Sequence, residues 1–196
     1  MSYKKYIGVV ILLAVIGLWA YLVMDVNCRY PKPENIRIQP GETISYQGIK
    51  VIPGEMEIYD YQSLIRQYPR MKTMGRSVDE ELISHDECYF IVPITIENIM
   101  ESRWESTGTS LVSWVIETGS TSNGMDYFAF KEMNPEYDGI LEPGESQSIS
   151  LIFSIIGDYI TMDQALQWDK KIVFSYYPDK NFLYYQGQDS EKIQHV

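Results

Sequence analysis

The side chains best spaced for chemistry lie in "NPEYDGILEPGE", Asn134 to Glu145. On a calcium-loop template, Asn134, Glu136 and Asp138 take positions 1, 3 and 5, Gly139 takes position 6, and Glu145 takes position 12. Oxygen ligands at every second position can converge on one cation, and the glycine permits the sharp turn. Three features pull the other way. Position 1 is Asn rather than Asp, position 3 is the longer Glu, and Pro143 stiffens the arc. The competing reading is a polar connection between two strands. Calcium is the one cofactor the sequence suggests, and otherwise none is expected.

Other chemistry is sparse. His85 sits in a polar stretch and His195 stands one residue from the end, neither at zinc spacing. There is no H-E-x-x-H, no G-x-S-x-G elbow, no S-x-x-K, and no phosphate loop or dinucleotide fingerprint. The reading is therefore non-enzymatic. Cys28 and Cys88 are the two cysteines, and an oxidising exterior would let them pair. Such a bridge would close a loop of about 60 residues and stabilise by roughly 4 kcal/mol in the chain-entropy model. The alternatives are two unbridged thiols, or one buried as a small hydrophobe. For partner contacts the candidates are Trp104 and Trp168, with Tyr127, Tyr137 and Tyr159 beside them, since exposed aromatics in loops often anchor interfaces. Trp114 reads as core.

These residues must be positioned by something, and the chain opens with a strong signal. Residues 6–24 carry no charge. As a helix they would be roughly 28 Å long, close to the ~30 Å hydrocarbon thickness. A cleaved signal would have a shorter core and a small-residue cleavage site, yet Met24 to Asn27 offers none. A lipid-attachment signal wants small uncharged residues before its cysteine, and Asp25, Val26 and Asn27 precede Cys28. The expectation is a retained transmembrane helix at 6–24. Residues 1–5, with Lys4 and Lys5, stay in the cytoplasm, and everything after the helix is extracytoplasmic in the cell membrane. All 27 acidic side chains lie at or beyond Asp25. The exterior part is thus more acidic than the chain's net charge of −11, which excludes nucleic acid as a partner.

After the helix, "NCRYPKPENIRIQPGE" predicts an extended stalk over 25–41, with Pro31, Pro33 and Pro40 against helix continuation. Strand signals then recur. "TISYQGIKVIP" predicts a first strand at Thr43–Pro53. "MEIYDYQSLIRQYPRM" is strand-like in its first half and helix-spaced in its second. Residues 69–87 read as a polar excursion. In "CYFIVPITIEN", Cys88 to Asn98, Phe90, Val92, Ile94 and Ile96 share one face, and Pro93 on the other face marks an edge or bulge. "TSLVSWVIET" predicts a strand at Thr109–Thr118, "STSNG" a turn, and "MDYFAF" a short strand. "LEPGESQSISLIFSII" places a Pro-Gly turn before a long strand, with Ile149, Leu151, Phe153 and Ile155 alternating. "TMDQALQW" allows one or two helical turns. "KKIVFSYYP" is the last firm strand, and Asn181–Tyr185 could add another. Short strands between turn clusters predict an all-β, Ig-like antiparallel β-sandwich at 42–186, followed by a flexible tail at 187–196.

The succession "CYFIVPITIEN … LVSWVIET … LEPGESQSISLIFSI … KKIVFSYYP" behind an anchor and stalk resembles the Ig-like extracytoplasmic domains of unknown function in Gram-positive bacteria. Those domains occur in membrane-anchored or lipoprotein-type proteins. A strand ending in Asn and a later L-x-P-G-E-S turn carry the likeness, over about residues 42–178. Cys28 departs from the lipoprotein pattern. The resemblance implies a surface-exposed, non-enzymatic module and carries no binding residues across. The expected function is a membrane-tethered recognition or assembly module with a protein partner. The alternatives are a cation-responsive or ligand-sensing exterior domain and, third, a cell-envelope enzyme.

Overall fold

The computed structural model describes residues 3–29, 34–71, 87–106, 113–175 and 180–188, and the chain divides into two compact units, Met1–Glu34 and Asn35–Val196. His85, His195 and most of the expected 187–196 tail lie outside the described residues. The first unit is helix α1, Tyr3–Arg29. Its apolar side chains, from Tyr6 through Val26, are exposed on every face, and none of its apolar window is buried. The helix does not stop at residue 24. Asp25 and Arg29 pair at 3.0 Å one turn apart and support a further turn.

The second unit is a β-sandwich. One sheet orders β1 (Asn35–Ile38), β12 (Lys180–Tyr185), β11 (Lys170–Ser175), β7 (Val115–Thr118) and β8 (Thr121–Gly124). The other orders β10 (Ser146–Ile155), β5 (Cys88–Asn98), β3 (Ile49–Pro53) and β2 (Ile44–Tyr46), with β4 (Glu57–Asp60) also on β5. A two-stranded piece joins β6 (Trp104–Glu105) to β9 (Ile140–Leu141). Three short helices complete the unit: α2 (Tyr61–Gln67), α3 (Tyr127–Met133) and α4 (Met162–Gln167).

The alternating faces read from the sequence are the core. Phe90, Val92, Ile94 and Ile96 of β5 meet Ile149, Leu151, Phe153 and Ile155 of β10 in one buried cluster, which Ile116, Ile172, Phe174 and Leu183 of the opposite sheet also join. Trp114 is fully buried, its ring 5.1 Å from that of Phe174. Pro93 needs no edge or bulge, because it sits where β5 changes neighbours from β3 to β4. There the Gly54 amide donates to the Pro93 carbonyl at 2.7 Å.

Several elements differ from expectation. The residues expected as stalk include β1, which pairs in parallel with β12, so the sandwich starts at Asn35 and is not wholly antiparallel. The Arg37 guanidinium lies 3.4 Å over the Tyr184 ring and helps hold that pairing. Thr43–Pro53 is not one strand but the hairpin β2–β3. Its turn residues Gln47 and Gly48 both have positive φ, 48° and 85°, as a type I′ turn requires. "MDYFAF" is helix α3, because the Asp126 carboxylate accepts from the Ala129 amide and caps a helix there. "STSNG" falls largely within β8, and the turn sits earlier, at Gly119–Ser120. Of Thr109–Thr118, only Val115–Thr118 is strand among the described residues.

Leu151→Ala removes a fully buried side chain from this cluster. It should cost about 2–5 kcal/mol in denaturant unfolding of the full-length chain, whereas Phe128→Ala, at a side chain 77% exposed, should cost under about 0.5 kcal/mol.

Candidate functional site

The calcium-template residues are employed otherwise. Asn134 follows α3 and is buried. Its amide nitrogen donates to the Phe130 carbonyl at 2.8 Å and the Ser150 carbonyl at 2.9 Å, and its amide oxygen accepts from the Ser150 N–H at 2.7 Å. An asparagine amide offers the same donor and acceptor as a peptide group, so Asn134 acts as a one-residue strand against β10. The Asp138 carboxylate accepts from the Ile140 amide, and that of Glu145 from the Glu142 amide. Glu136 is exposed. Glu142 to Glu145 form a turn in which Gly144 holds φ 76° behind Pro143, the type II pattern. Among the described residues, no three His, Cys, Asp or Glu side chains gather where they could hold a metal.

The turn also clasps the end of β5. Asn98 is 1% exposed. Its amide nitrogen donates to the Leu141 and Ser102 carbonyls, both at 2.9 Å, and its amide oxygen accepts from the Met100 N–H. Its backbone N–H donates to the Glu145 carbonyl, and its carbonyl accepts from the Gly144 N–H. The strand-ending Asn and the L-x-P-G-E-S turn are thus the two halves of one contact.

Cys28 and Cys88 are not bridged in this structure. Cys28 is exposed on α1, while Cys88 is core, its thiol 3.8 Å from the Ile160 carbonyl and 4.0 Å from the Met162 sulfur. Burial among apolar groups is what keeps Cys88 a small hydrophobe. Trp104 does not offer a partner contact: it is 4% exposed, and its indole N–H donates to the Gln47 carbonyl at 3.0 Å. Tyr137 is also buried, edge-on to Phe130. Trp168 is half-buried. Its ring lies so close over Gly119 that a Cβ there would come within 2.3 Å of it. The ring borders a groove of about 520 Å³ shared with Glu117, Asp169 and Lys171. Tyr127 and Tyr159 are exposed, as is Phe128.

A residue that sequence reading passed over is Lys170. It pairs across the ladder with Thr118 on one side and Tyr185 on the other, facing inward with Ile172 and Phe174. Its ammonium donates to the Leu166 carbonyl at 3.1 Å, at the end of α4, and the residue borders a cavity of about 320 Å³ shared with Glu55, Met56, Ile58 and Tyr185. Burial pushes Lys170 down to about 8, partly countered by Asp169. Asp169 itself is held below the usual carboxylate range by the Gly187 amide and the Tyr184 hydroxyl. The signal was present in the sequence: in "KKIVFS", a lysine stands in phase with two core positions.

Three measurements test these assignments. Asn134→Ala strips three buried hydrogen bonds and should cost about 1–3 kcal/mol, while millimolar calcium should leave the melting temperature of the full-length chain unchanged. Lys170 sets a pH dependence. An unfolded lysine titrates near 10.4, so between pH 8 and about 10 the unfolded chain binds more protons, and stability should rise with pH. Above that, Tyr59, Tyr89 and Tyr185, whose hydroxyls burial pushes up, keep protons that the unfolded chain sheds, and stability should fall. The rise should be absent in Lys170→Met when unfolding midpoints are followed against pH.

The chain shares a fold-level likeness with three solved structures. A conserved hypothetical protein from Bacillus anthracis is 13% identical, with a TM-score of 0.46 over 71% of this chain and 92% of that one. An uncharacterized β-sandwich protein from Clostridium difficile is 13% identical, with a TM-score of 0.45 over 79% and 96%. A functionally unknown protein from Listeria monocytogenes is 8% identical, with a TM-score of 0.47 over 75% and 82%. No curated protein matches. A family model matches residues 27–181, spanning β1 to the start of β12, and on that match the chain belongs to the family described as a domain of unknown function, DUF5028.

Proposed function

We propose that this chain is a non-catalytic recognition or assembly module, held at the cell membrane by α1 with its sandwich outside the cytoplasm. The observation that carries the reading is the helix. It is apolar on every face, and its side chains are exposed rather than packed into a core, a surface suited to lipid. Lys4 and Lys5 beside its start favour a cytoplasmic N-terminus. In this reading the sandwich is of the Ig-like kind, its two sheets closing over one apolar cluster. Its acidic character, with a sequence pI of about 4.6, suits solubility beside an anionic membrane and disfavours nucleic acid. Of the metal candidates, Asn134, Asp138 and Glu145 hold turns and the sheet edge, which favours recognition over cation sensing. Tethering raises local concentration, so weak contacts suffice for a partner. Tyr127 and Phe128, exposed with their rings 6.2 Å apart, supply a surface for it.

Two experiments on intact bacterial cells test this. Protease added outside should degrade the sandwich of a C-terminally tagged chain, and a membrane-impermeant maleimide should label Cys28 while the buried Cys88 stays unreacted until unfolding. A sandwich that survives while known surface proteins are digested would overturn the topology, as would a mature chain beginning after residue 24. In cross-linking, Phe128→Ala should deplete a specific partner by several-fold relative to the parent chain, and an unchanged pattern would count against that face.

A further inference from the structure

The cavity beside Lys170 has a composition that its structural duties do not explain. Lys170 is 2% exposed, and a buried ammonium is costly unless its donors are matched. Its one hydrogen bond goes to the Leu166 carbonyl, which also accepts from the Gln188 amide at 2.9 Å. That carbonyl is therefore satisfied without a lysine, and an ammonium has three donors to place. The opposing charge that acts on Lys170 is Asp169, already committed to the Tyr184 hydroxyl and the Gly187 amide. On the ladder beside Lys170, the buried Thr118 hydroxyl has no partner, while the Tyr185 hydroxyl on the other side donates to the Gly54 carbonyl at 3.1 Å. Neither ladder neighbour takes up the remaining donors of Lys170, since Thr118 borders the separate groove at Trp168 and the Tyr185 hydroxyl is committed to Gly54.

The rest of the wall is complementary in kind. Glu55 borders the same cavity and is exposed, and its charge acts on Tyr185 but is not among those acting on Lys170. Met56 and Ile58 give the wall an apolar stretch. A buried cation, an exposed acid, two apolar side chains and the amides of Gln39, Gln186 and Gln188 lie around about 320 Å³, the small end of ligand-site volumes.

We propose that this cavity binds a small zwitterion of the amino-acid class, with its carboxylate on the Lys170 ammonium, its own ammonium toward Glu55, and an aliphatic side chain against Met56 and Ile58. The site requires neither the membrane topology nor a protein partner, so it stands or falls separately from the proposed function.

The test uses the full-length chain in detergent and two matched probes, L-leucine and 4-methylpentanoate, which has the same carbon skeleton without the amine. Binding is read from the side-chain nitrogen resonance of Lys170 and from the melting temperature. L-leucine should shift both, with 4-methylpentanoate roughly tenfold weaker for want of the charge-assisted contact. Glu55→Gln should erase that difference, and Lys170→Met should abolish the response to both probes. Should Lys170→Met fail to fold, the parent resonance and Glu55→Gln still decide the matter. If neither probe moves the Lys170 signal at tens of millimolar, the site is refuted. Equal binding of the two probes to the parent chain overturns the zwitterion assignment, and undiminished binding to Lys170→Met overturns the role of the ammonium.

Discussion

The sandwich turns on a buried asparagine. Asn98 ends β5, and its side chain and backbone together reach Met100, Ser102, Leu141, Gly144 and Glu145. The Asn98 amide itself is 1% exposed and the Leu141 carbonyl is buried with it, and a buried polar group left without a partner costs about 1–3 kcal/mol. The consequence is register. The β5–β10 ladder pairs ten residues from Ser146↔Glu97 to Ile155↔Cys88. A slip of one residue would turn both apolar faces outward. Fixing Asn98 against Gly144 and Glu145 sets the first rung, and the others follow.

A second asparagine deals with the other side of the same strand. Beyond β10 the sheet has no further full strand, and an open edge of unpaired peptide groups invites pairing with other chains. Here Ser150 is bonded by the amide of Asn134, Phe153 bridges to Met125, and the Ile152 carbonyl accepts from the Asp126 amide. The stretch from Asp126 to Glu145 thereby covers the edge and returns to clasp β5. This explains why its polar residues imitate a calcium loop. For Asn134, Asp138 and Glu145 the placement follows from turns and edge contacts, each needing an oxygen-bearing side chain at a set place. Ligand-like types arise for backbone reasons.

What the sequence disclosed divides along the range of the forces involved. The inward faces of β5 and β10 were legible because alternation is local and burial enforces it. The hairpin at Gln47–Gly48 was missed because glutamine is not a residue that signals positive φ. The strand expected at Met125–Phe130 gives way to a helix because one carboxylate, Asp126, caps it there, and the short apolar pattern fits either period. Strand β1 carries no local signal at all, since its pairing with β12 joins chain segments far apart in sequence. The metal and partner-contact candidates were chosen by residue type. Type alone does not say that the Asn134 amide pairs with a strand or that the Trp104 indole N–H is consumed by a carbonyl. Lys170 could have been found by asking which charged residue occupies a core phase.

The placement of Lys170 gains meaning from the charge around it. The chain carries 27 acidic against 16 basic side chains, and a field of that sign opposes the approach of a plain anion, though salt confines it to about 8 Å. A buried cation in such a domain is poorly placed to collect inorganic or lipid anions, which meet repulsion before they meet Lys170. A net-neutral molecule carrying both charges feels little of that long-range opposition. At the buried end of the cavity, where Lys170 is 2% exposed, its carboxylate meets the ammonium at close range, where charges interact more strongly than in open water. The discrimination itself belongs to the cavity, where Glu55 meets the ammonium that a simple anion lacks, while the acidic exterior leaves a net-neutral molecule unopposed.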